Sequence, residues 1–193
     1  ADSLVKFGEY HKPQKGNYST AARIYKGYLY YSSQLTVYRL KLDENLVPTG
    51  KPEIIVDDDH PHGSHEHIGK PIAFDDEGHI FVPFGAPNNA CQTPKRTPMV
   101  PGQDPCPLLD DHGGIWRFDA EKIGQTQKDG EFYASGLRSI VALDWNTSDQ
   151  CLYAVVHGRD DLHRLWPNHF NQWESALLPS EEFVRIEKGD HFG

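Results

Sequence analysis

The sequence predicts an all-β fold, a β-propeller, on three observations. Apolar residues recur with a period of two over short runs, where a helix would repeat every 3.6. Turn-forming residues punctuate those runs, with 17 Gly and 14 Pro among 193 residues. A pattern of four short strands also occurs twice in the same order, the mark of propeller blades.

Taken along the chain, the first β-rich run is Tyr28-Leu29-Tyr30-Tyr31. Leu35-Thr36-Val37-Tyr38-Arg39-Leu40 follows, then Glu53-Ile54-Ile55-Val56, with Glu44-Asn45 and Pro48-Thr49-Gly50 as turns between them. Ile72-Ala73-Phe74-Asp75 leads through Asp76-Glu77-Gly78 into His79-Ile80-Phe81-Val82-Pro83-Phe84. Such β-branched and aromatic runs bounded by turn residues read as strands. The set then repeats: Ile115-Trp116-Arg117-Phe118 answers Val37 to Leu40, and Glu131-Phe132-Tyr133-Ala134 answers Glu53 to Val56. Val141-Ala142-Leu143-Asp144 and Leu152-Tyr153-Ala154-Val155 complete the second unit. The offset between units is 78 residues at the first strand and 69 at the third, with the insertion placed between the units. Ala21 to Tyr31 reads as the end of a preceding blade, and Phe183-Val184-Arg185-Ile186 as a last strand with no closing partner. A propeller needs about 4–8 blades to close. The expected domain is therefore a partial propeller over residues 1–193, roughly three blades, with an inserted loop at 88–113.

The formal charge of −9, with no basic stripe, argues against a nucleic-acid partner. No apolar run approaches the roughly 18 residues of a membrane-spanning helix. Ala1-Asp2-Ser3 opens directly into polar sequence, as a mature chain or a cut would. Of the three cysteines, Cys91 and Cys106 bracket a loop rich in Pro, Thr, Gln and Gly that has no core of its own. A disulfide between them is expected, and with it an oxidising compartment, secreted or periplasmic. Cys151 sits in an apolar run and reads as a buried free thiol. Asn17-Tyr18-Ser19 and Asn146-Thr147-Ser148 fit the glycosylation sequon.

Candidate chemistry begins at residues 57–67, which hold four histidines and four carboxylates in eleven residues. A metal site or a base poised near neutral pH are the functional readings. For His60 and His62 a solvated polar loop is preferred, because no spacing here matches a zinc signature.

The stretch from His67 through Lys70, Asp75 and Gly78 to Gly85-Ala86-Pro87-Asn88-Asn89-Ala90-Cys91 resembles the glucose/sorbosone dehydrogenase family. There a His precedes a blade strand, followed by a D-x-x-G turn and a G-[SA]-P-x-N-x-C loop. The resemblance makes His67 the general base that takes the sugar hydroxyl proton. Lys70 stands where the family usually has Arg, and Lys lacks the planar fork. Gly136-Leu137-Arg138-Ser139-Ile140 is similar to the family's G-x-R-N-P pattern, which makes Arg138 a contact to the quinone cofactor, with Ser139 and Ile140 in place of Asn and Pro. Tyr153 to Leu162 resembles a strand that ends in a cofactor loop. This implies cofactor contact by Arg159 and calcium held at Gly158 and Arg159. Glu187-Lys188-Gly189-Asp190-His191-Phe192-Gly193 is similar to the family's G-x-x-Y/F-G-W-P run, cut before its Trp-Pro.

The resemblance implies a ring of about six blades, of which about half is present. It also implies oxidation of an aldose or related sugar with pyrroloquinoline quinone (PQQ) and calcium, and transfer of electrons to an external acceptor such as a cytochrome. The residues agree in kind. A neutral imidazole suits the base, an arginine suits a tricarboxylate quinone, and no Rossmann fingerprint is present for a nicotinamide. No C-x-x-C-H haem motif occurs. The remainder of the propeller would come from the same or another chain. The competing reading is a non-catalytic propeller that binds a glycan or protein partner, since fold alone does not choose.

Overall fold

The computed structural model describes residues 21–60 and 66–193. The first sequon and His62 lie outside the described residues. The chain folds as all-β with two short helices.

Three sheets form. The first contains β1 (Ala21–Tyr25), β2 (Tyr28–Ser32), β3 (Thr36–Leu42) and β4 (Pro48–Asp57), in that order and antiparallel. The second contains β5 (Ala73–Phe74), β6 (His79–Phe84), β7 (Gly114–Asp119) and, after the two-residue β8 (Gln125–Thr126), β9 (Glu131–Ser135). β8 leaves its neighbours and pairs parallel to the end of β4. The third contains β10 (Ile140–Asn146), β11 (Cys151–Val156) and β12 (Glu182–Ile186), with α1 (Leu162–Leu165) and α2 (Gln172–Leu177) between β11 and β12.

Local chemistry sets the turns. Tyr25 pairs with Tyr28, so Lys26-Gly27 is a two-residue hairpin loop, and both residues have positive φ, 44° and 78°. That is the turn whose twist matches its strands, and Gly at its second position lowers the cost. Between β5 and β6 the Asp75 carboxylate accepts the backbone N–H groups of Glu77 at 3.0 Å and His79 at 2.8 Å. Asp43 closes the β3–β4 turn in the same way, onto Asn45 and Val47.

β6 explains the packing. Its run Ile80-Phe81-Val82 is apolar at every position, not alternately, because both faces are covered. Ile80, Val82 and Phe84 join Tyr30, Val37 and Ile55 in a core between the first and second sheets. Phe81 turns the other way, into a core with Leu143, Leu152 and Ile186 of the third sheet. Its ring stacks on Trp145 at 5.5 Å. Fully burying one such side chain contributes about 1.5–3 kcal/mol.

The first two sheets each contain a run of four antiparallel strands and the third contains three, and the phase differs from the sequence reading by two strands. Val37 to Leu40 and Glu53 to Val56 are the last two strands of the first sheet, not the opening of a unit. Ala21 to Tyr31 is not the end of a preceding blade, because β1 and β2 pair onto β3. Residues 85–113 lie within the second sheet, between β6 and β7, not between units. The reason is physical. A repeat fixes spacing, whereas the sheet boundary depends on which strand edges hydrogen-bond. β12 pairs with β11 along its length.

Candidate functional site

Antiparallel topology brings four connections to one edge. They are β4–β5, β6–β7, β9–β10 and β11–β12, and they carry His67, Asn89, Arg138 and Arg159 respectively. Backbone bonds lock them together: Ala86 N–H donates to Arg138 C=O at 2.9 Å, and His157 N–H to Ser139 C=O at 2.8 Å. Gly85 permits the closest approach, since a Cβ there would lie 2.0 Å from the His67 carbonyl oxygen. The expected disulfide joins Cys91 and Cys106, with Cα atoms 6.0 Å apart, and Cys151 is a buried free thiol. Arg96 on the cysteine loop pairs with Asp161 at 2.7 Å and Glu66 at 3.4 Å, which ties that loop to the two neighbouring connections.

His67 is half-buried, and its Nδ1 lies 2.7 Å from the Ala86 carbonyl oxygen. A carbonyl only accepts, so Nδ1 carries the proton and Nε2 keeps its lone pair. That lone pair accepts Nη1–H of Arg138 at 2.8 Å. Burial pulls the His67 imidazole below its ordinary value; the Ala86 carbonyl opposes this and the Arg138 charge reinforces it. The imidazole is therefore neutral at pH 7.

Arg138 also donates to Asn89 Oδ1 at 2.5 Å, to His157 C=O at 3.1 Å and to Gly158 C=O. All four partners are uncharged. Among the described residues no carboxylate comes within ion-pair distance of Arg138 or Arg159, and the Arg159 Nε is buried without a partner. Burial lowers both guanidinium pKa values, yet arginine stays charged. Both guanidinium groups line one cavity of about 920 Å³, together with Asn89, Gly158 and His112 and with the acidic residues Asp104, Asp110 and Glu182. His67 and Ser139 do not line it. His67 is reached through Arg138, and Ser139 contributes its carbonyl to His157.

Three residues depart from the sequence reading or were missed by it. Lys70 is not at the cavity: it is buried, 2.9 Å from Asp58, with its ammonium 4.1 Å from the centre of the Phe84 ring. His60 is not a solvated loop residue, because its side chain is 13% exposed and Nδ1 lies 2.8 Å from Asp58. Asn89 is buried against Arg138. It was visible in the G-x-P-x-N-x-C run, but nothing in the sequence tied it to Arg138.

Sheets of three to five strands, packed face to face, with a cavity formed by loops at one edge and lined by two arginines, define a propeller-like fold. Residues 14–169 match the family model for glucose / sorbosone dehydrogenase, and the chain belongs to that family. Solved structures show the same fold. A Trichoderma reesei member of carbohydrate-active enzyme family AA12 superposes with a TM-score of 0.65 at 15% identity, over 90% of this chain and 42% of that one. The PQQ domain of pyranose dehydrogenase from Coprinopsis cinerea gives 0.52 at 13% identity, over 69% and 31%. The soluble aldose sugar dehydrogenase of Escherichia coli gives 0.52 at 15% identity, over 89% and 42%. The chain therefore spans less than half the length of these proteins. A search of curated proteins finds no significant match. Among the described residues, no helix is long and apolar enough to cross a membrane.

Proposed function

We propose that this chain forms part of a PQQ-dependent sugar dehydrogenase working in an oxidising compartment and passing electrons to an external acceptor. One observation carries the reading: Arg138 and Arg159 line a shared cavity, no carboxylate among the described residues lies at ion-pair distance of either, and a neutral histidine contacts Arg138. An anionic tricarboxylate suits such a cavity, and the orphaned Arg159 Nε offers it a donor. When bound, PQQ supplies the two-electron acceptor that takes the hydride from the sugar.

The roles of the side chains follow. Arg138 and Arg159 bind and orient the carboxylates of the cofactor. Asn89 holds Arg138 from behind. His67 takes the hydroxyl proton on Nε2, which requires Arg138 to leave that nitrogen first. An anion in the cavity provides the pull, because a carboxylate is a stronger acceptor for guanidinium than a neutral imidazole. The Ala86 carbonyl holds the ring in the right tautomer throughout. Calcium does not fit the present arrangement: the Gly158 carbonyl is taken by Arg138, and the Arg159 side chain is itself a cation.

The test is sugar-dependent reduction of an artificial dye by the full-length protein supplied with PQQ. The reading predicts turnover with PQQ that His67→Ala lowers by about 10²–10⁴-fold. Quinone binding without turnover on any aldose would favour a non-catalytic propeller.

A further inference from the structure

Beside the arginine-lined cavity, His60 lies on the connection after β4, and Asp111 and His112 lie at the end of the 85–113 connection. Their donor atoms all fall within 4.8 Å of one another. We propose that His60, Asp111 and His112 form a site for a borderline divalent transition-metal ion of the zinc class, which clamps these two connections together.

The orientation of His60 comes first. Asp58 Oδ1 lies 2.8 Å from His60 Nδ1 and accepts its proton. The other Asp58 oxygen accepts from Lys70 Nζ at 2.9 Å, which fixes the carboxylate against the ring. The His60 tautomer is thereby set, with the Nε2 lone pair directed outward. Nε2 faces Asp111 Oδ2 at 3.7 Å. The two groups stand close enough for one cation to bridge them. Two donors on one tetrahedral zinc stand about 3.4 Å apart, so the spacing needs little closure. A carboxylate that orients a ligating imidazole is the usual support of a histidine–metal bond.

The second imidazole is already in place. The His112 and His60 rings lie 4.3 Å apart, and His112 Nδ1 is 2.5 Å from Asp111 Oδ1. A metal would take the place of the proton shared there. The Asp111 backbone is fixed from behind, since its carbonyl accepts from Gln127 Nε2 at 2.6 Å. Two imidazoles and one carboxylate favour zinc, copper, nickel or cobalt over calcium, which takes six or more oxygens. A second cavity, of about 500 Å³ and lined by His60 and Asp111 with Asp59, Lys128 and Phe132, opens beside the cluster. It supplies a route for the ion and room for a water as fourth ligand. Because His112 and Gly113 also line the larger cavity, the ion would brace one wall of it. The inference does not depend on the sugar-oxidising reading.

The experiment uses the full-length protein stripped with a chelator and titrated with Co²⁺, read by visible absorption, then with Zn²⁺ in competition. A single Co²⁺ per chain is expected, with the intense band of a tetrahedral site, displaced by Zn²⁺. His60→Gln and Asp111→Asn, each checked for native circular dichroism without metal, should weaken Co²⁺ binding by about 10²-fold or more. The proposal is overturned if the folded wild type gives no saturable band, or if both variants bind Co²⁺ as the wild type does. Loss of fold in one variant leaves the other, and the wild-type titration, to decide.

Discussion

Nη1 of Arg138 donates a hydrogen bond to Nε2 of His67 at 2.8 Å. The residue proposed to hold the cofactor therefore occupies the lone pair of the residue proposed to act as base. On the proposed reading, the histidine becomes competent when an anion draws the arginine away.

This relationship has a measurable consequence in the free protein. The Arg138 charge and its donated bond both disfavour the imidazolium of His67. Arg138→Ala removes both and admits water, so the His67 pKa should rise toward the ordinary value near 6.5. An NMR titration of the histidine side chains reads this directly. A His67 pKa that stays put or falls in the variant would mean that the contact does not govern the base.

In the proposed account, Asn89 has its role through Arg138. Its Oδ1 accepts from Nη1 at 2.5 Å. Asn89→Ala should raise the Kd for PQQ by about tenfold, the loss expected for one hydrogen bond to a charged group. Turnover at saturating PQQ should change far less. A fall in turnover that excess PQQ fails to restore would assign Asn89 a different role.

The buried Asp58–Lys70 pair makes stability depend on acid. Burial opposes ionisation of Asp58, but Lys70 holds its folded pKa at about 2, below the usual 3.8. A depressed carboxylate pKa contributes stability that is full above pH 4 and is lost as pH falls through 2. The difference amounts to about 2 kcal/mol. Urea unfolding between pH 6 and pH 2 should show that loss, and Asp58→Asn should flatten it. Lys70→Met, which strands the carboxylate, should cost about 3–5 kcal/mol at pH 7.

The Cys91–Cys106 bond closes a segment with a sequence separation of 15. Breaking it with Cys91→Ser and Cys106→Ser together should destabilise the chain by about 3 kcal/mol in the loop-entropy account. PQQ affinity should fall with it, since Cys91, Asn89 and Cys106 line the larger cavity. Differential scanning calorimetry beside a PQQ titration checks both effects.

How far these features were legible in the sequence depends on their range. The strands were readable because alternation is local. His67, Arg138 and the 157–159 loop could be chosen from motifs, and the structure brings Arg138 into contact with both His67 and that loop. The phase of the sheets was not readable, since pairing of β1 and β2 onto β3 is a choice between partners distant in the chain. Nor was the fate of His60 or Lys70. Both are polar residues whose burial depends on Asp58, and a lone carboxylate in a charged run carries no mark of being buried. His60 meets Asp111 and His112 only through a loop closure of some fifty residues, which no spacing rule anticipates.

The central claim is that the Arg138–Arg159 cavity holds an anionic quinone with His67 behind it. The most direct measurement is a PQQ titration of wild-type, His67→Ala and Arg138→Ala proteins, with sugar-dependent dye reduction followed at each PQQ concentration. The account predicts saturable binding in the wild type and in His67→Ala. It predicts binding weakened by about 10–100-fold in Arg138→Ala, with turnover partly rescued by excess PQQ in that variant and not in His67→Ala. Equal PQQ affinity in Arg138→Ala and the wild type, or no binding in either, would contradict it.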